Sequence, residues 1–387
     1  MAETLTPKNT VFVQLSFEGT DPYSQAGGLG TRVFNMGEAL AEEGFETHLF
    51  FIGDPKRPGV EELVGGKYIL HRWCQWISSF HPNGVYDGED GKVNDYSVSV
   101  PNYIIDNIAR PAIAAGKRIV VIAEEWHTVD ALCNLSDLLH WYGLRHRASL
   151  MWNVNNTMSF HRINFGRLTY VATILAVSKF MKQIMRGYGI NSVVVPNGIP
   201  ARMLKQHDPA QVQALKDAFA SRGRDLNLLK IGRFDPAKRW IMAVEAAAML
   251  KQRGVKPNLL IRGGIEPHGG EVLARAAELG LKIADLTANR PDVNGSIEVI
   301  RNAPRDADIL NLRFFLPEEF VTLMYHCCDG VFANSGFEPF GLVGLEVMAA
   351  GGIPFTGATG EDYVVPFVNA ISVETDEPRE LVAYLAY

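Results

Sequence analysis

Cysteine is scarce in this chain, and where the few cysteines sit excludes more than their number does. Cys74, Cys133, Cys327 and Cys328 form no CxxC pair and no metal-ligand spacing. Cys327 and Cys328 adjoin each other in an apolar, helix-like context, which favours buried thiols and a reducing, cytoplasmic compartment. No run of about 18 uncharged apolar residues occurs, so no membrane-spanning helix is expected. The stretch from Met1 to Asn9 has no apolar core of signal-peptide length. A basic excess is also missing: 37 Lys and Arg face 43 Asp and Glu, and the formal net charge of −6 argues against a nucleic-acid partner. GxSxG, Walker and HExxH motifs are absent, which removes the usual hydrolase, nucleotide-hydrolysis and zinc-protease readings.

What remains is ordinary globular material, 47 % hydrophobic and 21 % charged. At 387 residues the chain exceeds one ordinary core, and two domains are expected. Short apolar or β-branched runs alternate with longer helical ones, as a parallel α/β sheet requires. In the first half, residues 10–17, 47–53, 118–123, 174–177 and 192–196 read as strands, and 30–43 and 179–188 as helices. Asn197-Gly198-Ile199-Pro200 is a strong turn signal and divides a domain 1–198 from a domain 199–387. The alternation then restarts, with strands at 226–234, 258–262 and 330–334 and helices at 237–253, 268–279, 317–327 and 342–350. The fold class is therefore α/β, with two successive Rossmann-like domains. Residues 57–100 fit this scheme less well. Their aromatics, Trp73, Trp76, Phe80, Tyr86 and Tyr96, either pack under a long excursion or form a sugar-stacking surface.

Four clusters carry chemistry. In residues 335–351, Glu338 lies in a Pro/Gly turn and Glu346 inside an apolar helix that reads as buried nearly all round. A carboxylate held there needs a partner, either a ribose with two adjacent hydroxyls or an Arg or amide of the core. Backbone amides near Gly341 and Leu342, ahead of that helix, suit a diphosphate. Arg233 and Lys238 leave a strand end and enter a helix through Pro236, where two cations could neutralise a diphosphate or serve only as structural charges. Gly27, Gly28 and Gly30 precede the first helix and permit close backbone approach. A dinucleotide fingerprint with Asp54 fails, because the third glycine falls at Val33. His127, in Glu124-Glu125-Trp126-His127-Thr128, follows another strand end and is either a ligand contact or a satisfied structural histidine. Asp306-Ala307-Asp308 looks like a metal-binding pair, but it has no second acidic cluster, so no metal site is assigned.

In this order, the Gly27–Gly30 loop, Trp126-His127-Thr128, Leu175 to Lys179, Val194 to Gly198, Gly232-Arg233 with Lys238, and Glu338 with Glu346 resemble the retaining, nucleotide-sugar-dependent glycosyltransferases of family four. This is the glycogen-synthase-like group, of GT-B type, with two facing Rossmann lobes and an active site in the cleft between them. The resemblance implies an acceptor side in 1–198 and a donor side in 199–387. It implies that Arg233 and Lys238 hold the donor diphosphate and that Glu346 grips the ribose. Glu338 would bind hydroxyls of the transferred sugar, with the amides of Phe340, Gly341 and Leu342 in support. His127 would reach the donor sugar, and Gly28 and Gly30 would let the first lobe close over the phosphates. No cofactor and no metal are implied, only a UDP-, GDP- or ADP-linked sugar as co-substrate and a carbohydrate or other small-molecule acceptor.

Two departures qualify the match. Gln25-Ala26 stands where glycogen synthases carry a Lys, which argues against the starch- and glycogen-building branch. The chain also stops at Tyr387, where family members usually continue with further helices, so truncation or an unusual ending is expected. Two other functions fit less of the pattern: a non-catalytic relative that only binds sugar nucleotide, and a sugar-nucleotide epimerase of the same architecture.

Overall fold

The structure, a computed structural model, describes residues 4–386. The chain divides after Gly198 into two compact units, Met1–Gly198 and Ile199–Tyr387. The first unit is built on strands β1 (Thr10–Leu15), β2 (Glu46–Ile52), β3 (Val60–Leu63), β4 (Tyr68–Trp73), β5 (Arg118–Glu124), β6 (Ala148–Val154), β7 (Thr173–Ala176) and β8 (Val193–Val194). They form one sheet in the order β3-β4-β2-β1-β5-β6-β7-β8. Only the edge strand β3 is antiparallel to its neighbour. Every residue of β1 is buried, as a central parallel strand covered on both faces must be. Its one polar side chain in mid-strand is partly satisfied: Gln14 Nε2 donates to the Val33 carbonyl at 3.1 Å, while its buried Oε1 has no partner.

The second unit holds β9 (Leu226–Ile231), β10 (Pro257–Arg262), β11 (Ile283–Leu286), β12 (Ile309–Leu312), β13 (Gly330–Ala333), β14 (Pro354–Thr356) and β15 (Ile371–Ser372). Their order is β11-β12-β10-β9-β13-β14-β15, and each recorded pairing is parallel. Leu228, Leu229, Leu259, Leu260, Ile309, Leu310 and Val331 are fully buried on this sheet. Each such side chain contributes about 1.5–3 kcal/mol by leaving water. Among the described residues no helix is long and apolar enough to cross a membrane.

The segment 57–100 is ordered rather than irregular. It supplies β3, β4, a short helix Gln75–Ser79 and a long helix Glu89–Ile104. Two of its aromatics pack inward: Tyr96 is buried and its hydroxyl donates to the Phe50 carbonyl at 3.0 Å, and Trp73 Nε1 donates to Ser99 Oγ at 2.6 Å. Trp76 and Phe80 differ, at 77 % and 66 % exposure, and meet edge to face at 5.1 Å.

The order of strands reverses once in each sheet, between β1 and β5 in the first unit and between β9 and β13 in the second. In open parallel sheets, ligands bind outside the carboxyl ends of the strands at such a reversal. All four chemistry-bearing clusters follow one of these four strands.

Candidate active site

In the second unit, β9 ends at Ile231 and the chain turns through Gly232, whose φ of +149° is one that side chains rarely adopt. Trp240, fully buried at the start of the next helix, donates its Nε1 to the Arg233 carbonyl at 2.8 Å and so holds the turn. Asp235 caps the Pro236–Lys238 turn by accepting from the Ala237 amide at 2.8 Å. The Arg233 side chain is exposed, and its guanidinium has no ion-pair or hydrogen-bond partner among the described residues. Lys238 points to the loop after β13, where its Nζ forms a hydrogen-bonded ion pair with Glu338. Sequence positions 100 residues apart thus meet across the β9–β13 reversal.

Beneath this pair lies a second cation. Lys230 is fully buried, donates to Asn334 Oδ1 at 2.6 Å and to the Phe332 carbonyl at 3.2 Å, and sits 5.2 Å over the Trp240 ring. Burial, reinforced by Lys238 and Arg239, pushes its pKa well below the ordinary lysine value. Beside the turn, an open cavity of about 660 Å³ is lined by Phe234, Arg262, Gly264, Asn311 and Arg313 at the ends of β9, β10 and β12.

Gly341 has φ +77°, and Tyr363 donates its hydroxyl to the Gly341 carbonyl. A Cβ there would fall 2.9 Å from Glu361 Cγ, so both conformation and space require glycine. The Leu342–Ala349 helix that follows has no capping side chain, so its first amides are left for another acceptor. Phe340 is buried, 5.4 Å from the Tyr363 ring.

This helix is not buried nearly all round, contrary to its apolar composition. Only Gly344 and Val347 are buried, and Glu346 is half-buried. The other residues of the helix are partly covered and none is fully exposed. Glu346 accepts from the buried Tyr325 hydroxyl at 3.3 Å, and desolvation raises its pKa.

The first unit places Gly27, Gly28 and Gly30 at the start of the helix Gly28–Glu42 that follows β1, as expected, but the loop amides already have an anion. Glu18 Oε2 accepts from Gly27 N at 3.0 Å, Ala26 N at 3.3 Å and Gly30 N at 3.4 Å. Tyr86 donates to Glu18 Oε1 at 2.6 Å. A Cβ on Gly30 would come within 2.4 Å of the Gly19 carbonyl oxygen, which fixes the helix start against that loop. His127 is buried and stacked between Phe17, at 4.2 Å, and Trp126, at 4.0 Å. Its Nε2 hydrogen-bonds Glu89 Oε1 at 2.9 Å, while its Nδ1 has no partner. Burial, with Arg162 nearby, lowers its pKa to about 3, so the ring is neutral and Nε2 carries the proton it donates to Glu89. Glu125 precedes it with φ +64°, buried, and burial beside Glu124 raises its pKa to about 8.

Sequence reasoning missed Glu18, Glu89, Thr359 and Glu361, and singled out Tyr86 only as one of the aromatics of residues 57–100. The Asp306/Asp308 pair is taken up by cations: Lys282 holds Asp306 at 2.9 Å, and Arg224 and Lys251 hold Asp308 at 2.9 and 2.7 Å. No cluster of three or more His, Cys, Asp or Glu side chains suited to a metal ion occurs among the described residues.

Residues 26–202 match the family model described as Glycosyltransferase Family 4. The matched stretch covers most of the first unit. The fold is of the GT-B type with two Rossmann-like domains, and solved structures of that type match the chain over nearly its full length. The catalytic domain of starch synthase IV from Arabidopsis thaliana, bound to ADP and acarbose, aligns with a TM-score of 0.67 at 15 % identity, covering 98 % of this chain and 91 % of that one. Sucrose-phosphate synthase from Thermosynechococcus elongatus aligns at 0.64 and 18 % identity, covering 98 % and 89 %. HepE of Anabaena, in complex with UDP and glucose, aligns at 0.60 and 14 %, covering 97 % and 88 %. None of the curated protein sequences matches this chain.

Proposed function

We propose that this protein is a glycosyltransferase that moves a hexose from a nucleotide-diphosphate sugar to a carbohydrate or other small-molecule acceptor, with retention of the anomeric configuration and without a metal ion. The observation that carries this reading is the Lys238–Glu338 pair at the strand reversal of the second unit, with Arg233 exposed in the same turn. Lys238 and Arg233 neutralise the charge that grows on the diphosphate as it leaves. Glu338 then takes hydroxyls of the transferred sugar in place of Lys238. Glu346 takes the ribose hydroxyls, and the amides of Phe340, Gly341 and Leu342 support the sugar and phosphate. His127 takes a sugar hydroxyl, Nδ1 being the ring nitrogen without a partner. Gly28 and Gly30, lacking side chains, permit a close backbone approach to the phosphates.

The anomeric carbon–phosphate oxygen bond breaks as the acceptor oxygen bonds to the same face. The acceptor proton passes to the departing phosphate oxygen. Positioning and charge stabilisation supply the rate. The ADP of the starch synthase structure and the UDP of the HepE structure support a nucleoside diphosphate as the leaving group. The open cavity beside Phe234 offers room for the base. The cysteines Cys74, Cys133, Cys327 and Cys328 are free thiols, which supports action in a reducing cytoplasm.

The test follows turnover of UDP-, GDP- and ADP-hexoses by proton NMR with EDTA present. An α-linked product from an α-linked donor is the outcome expected. A β-linked product overturns retention, and turnover abolished by EDTA overturns metal independence.

A further inference from the structure

The loop that carries Glu338 is anchored by Thr359. Its Oγ1 accepts from the Glu338 amide at 2.9 Å and donates to the Glu338 carbonyl at 3.0 Å. That carbonyl also accepts from the Gly360 amide at 2.9 Å. The same Thr359 Oγ1 lies 3.4 Å from Glu361 Oε2, which itself accepts from the Thr359 amide at 2.9 Å. A hydroxyl has one proton, and here two acceptors face it. If the proton goes to the Glu338 carbonyl, the contact with Glu361 becomes a hydrogen bond only when the Glu361 carboxyl brings a proton of its own. An ionised Glu361 instead draws the hydroxyl proton away from Glu338.

The surroundings of Glu361 make this competition matter. Glu361 is buried, packed against Gly341 and Gly357, and its Oε1 has no partner. The charged and titratable groups around it are Glu338, the Lys238 paired to Glu338, and Tyr363, whose phenol is held neutral by burial.

We propose that Glu361 is a positioning residue for Glu338, acting through the hydroxyl of Thr359. The proposal deepens the reading of Glu338 as a contact of the donor sugar and rests on it. Burial first, with Glu338 adding, raises the Glu361 pKa to about 7. The protonated, anchoring form therefore prevails below that value and is lost as pH rises through it. The acid sits where a neutral-pH change reaches the sugar-binding carboxylate without touching substrate.

The experiment measures hydrogen exchange of residues 336–343 at pH 6 and pH 8, corrected for the intrinsic rate, together with the KM and kcat for a nucleotide sugar. In the wild type, protection of this segment should fall about tenfold between the two pH values and KM should rise, with kcat changing less. Glu361→Gln, which carries no charge to draw the hydroxyl, should stay protected at both. Thr359→Val should lose protection at both. Wild-type protection that does not change with pH, or a Glu361→Gln that titrates like wild type, overturns the proposal. If exchange behaves as described but no nucleotide sugar is turned over, the positioning stands and the donor-contact reading of Glu338 fails.

Discussion

Glu18 sits in the amide cradle of Gly27, its Oε2 accepting from the Gly27 N–H at 3.0 Å and sharing that role with the Ala26 and Gly30 amides. The glycine loop of the first unit is therefore shaped by an anion of its own chain. Tyr86, which approaches from the 57–100 segment, completes the cage at 2.6 Å.

Glu18→Ala should leave three backbone donors and the Tyr86 hydroxyl without their acceptor. Such a loss costs about 1–3 kcal/mol. Urea unfolding of the variant against wild type measures it. A change below about 0.5 kcal/mol would mean that water replaces the carboxylate freely and the cage is incidental.

Arg233→Ala and Lys238→Ala should each lower kcat on the order of 10²–10³-fold, about 3–4 kcal/mol of transition-state stabilisation. Their effects on folding should differ. Arg233 is exposed and unpartnered, so its removal should leave stability within about 0.5 kcal/mol. Lys238→Ala also strips Glu338 of its ion-pair partner. Steady-state rates beside denaturation curves separate the two effects, and a fully active Arg233→Ala would remove that residue from the mechanism.

Glu125 gives a pH dependence with a definite sign. Its folded-state pKa of about 8 lies above the ordinary 4.5, so the native protein keeps a proton that the unfolded chain releases. The contribution is complete below about 4.5 and is lost as pH rises through about 8. Glu125→Gln should therefore gain about 2–4 kcal/mol relative to wild type at pH 8 and almost nothing at pH 4.5. His127 works in a different window and with the opposite sign, since its depressed pKa removes stability as pH falls from 6.5 towards about 3. Equal urea midpoints for Glu125→Gln and wild type at pH 8 would show that the carboxyl is solvated there.

Much of this architecture was legible because parallel strands covered on both faces read as unbroken apolar runs, as Thr10–Leu15 does. Lys238 and Glu338 could be picked out because each follows such a strand. Glu89–Ile104 escaped because its first half is polar and Pro101 interrupts its second, so no clean helical period survives. The Leu342–Ala349 helix misled in the other direction: its apolar composition implied burial nearly all round, whereas most of its residues, Glu346 among them, are only partly buried. Glu18 and Glu361 carried no local signal at all. Their partners, Tyr86 and the Glu338 loop, are set by the fold rather than by spacing along the chain.

The central claim is that the strand reversal of the second unit is a nucleoside-diphosphate site. Calorimetric titration with UDP, GDP and ADP, without metal, on wild type and Glu346→Ala, tests it most directly. The account predicts micromolar binding of one of the three and a loss of about tenfold or more in the variant, the worth of a hydrogen bond to a carboxylate. No binding by any of the three, or equal binding by both proteins, would contradict it.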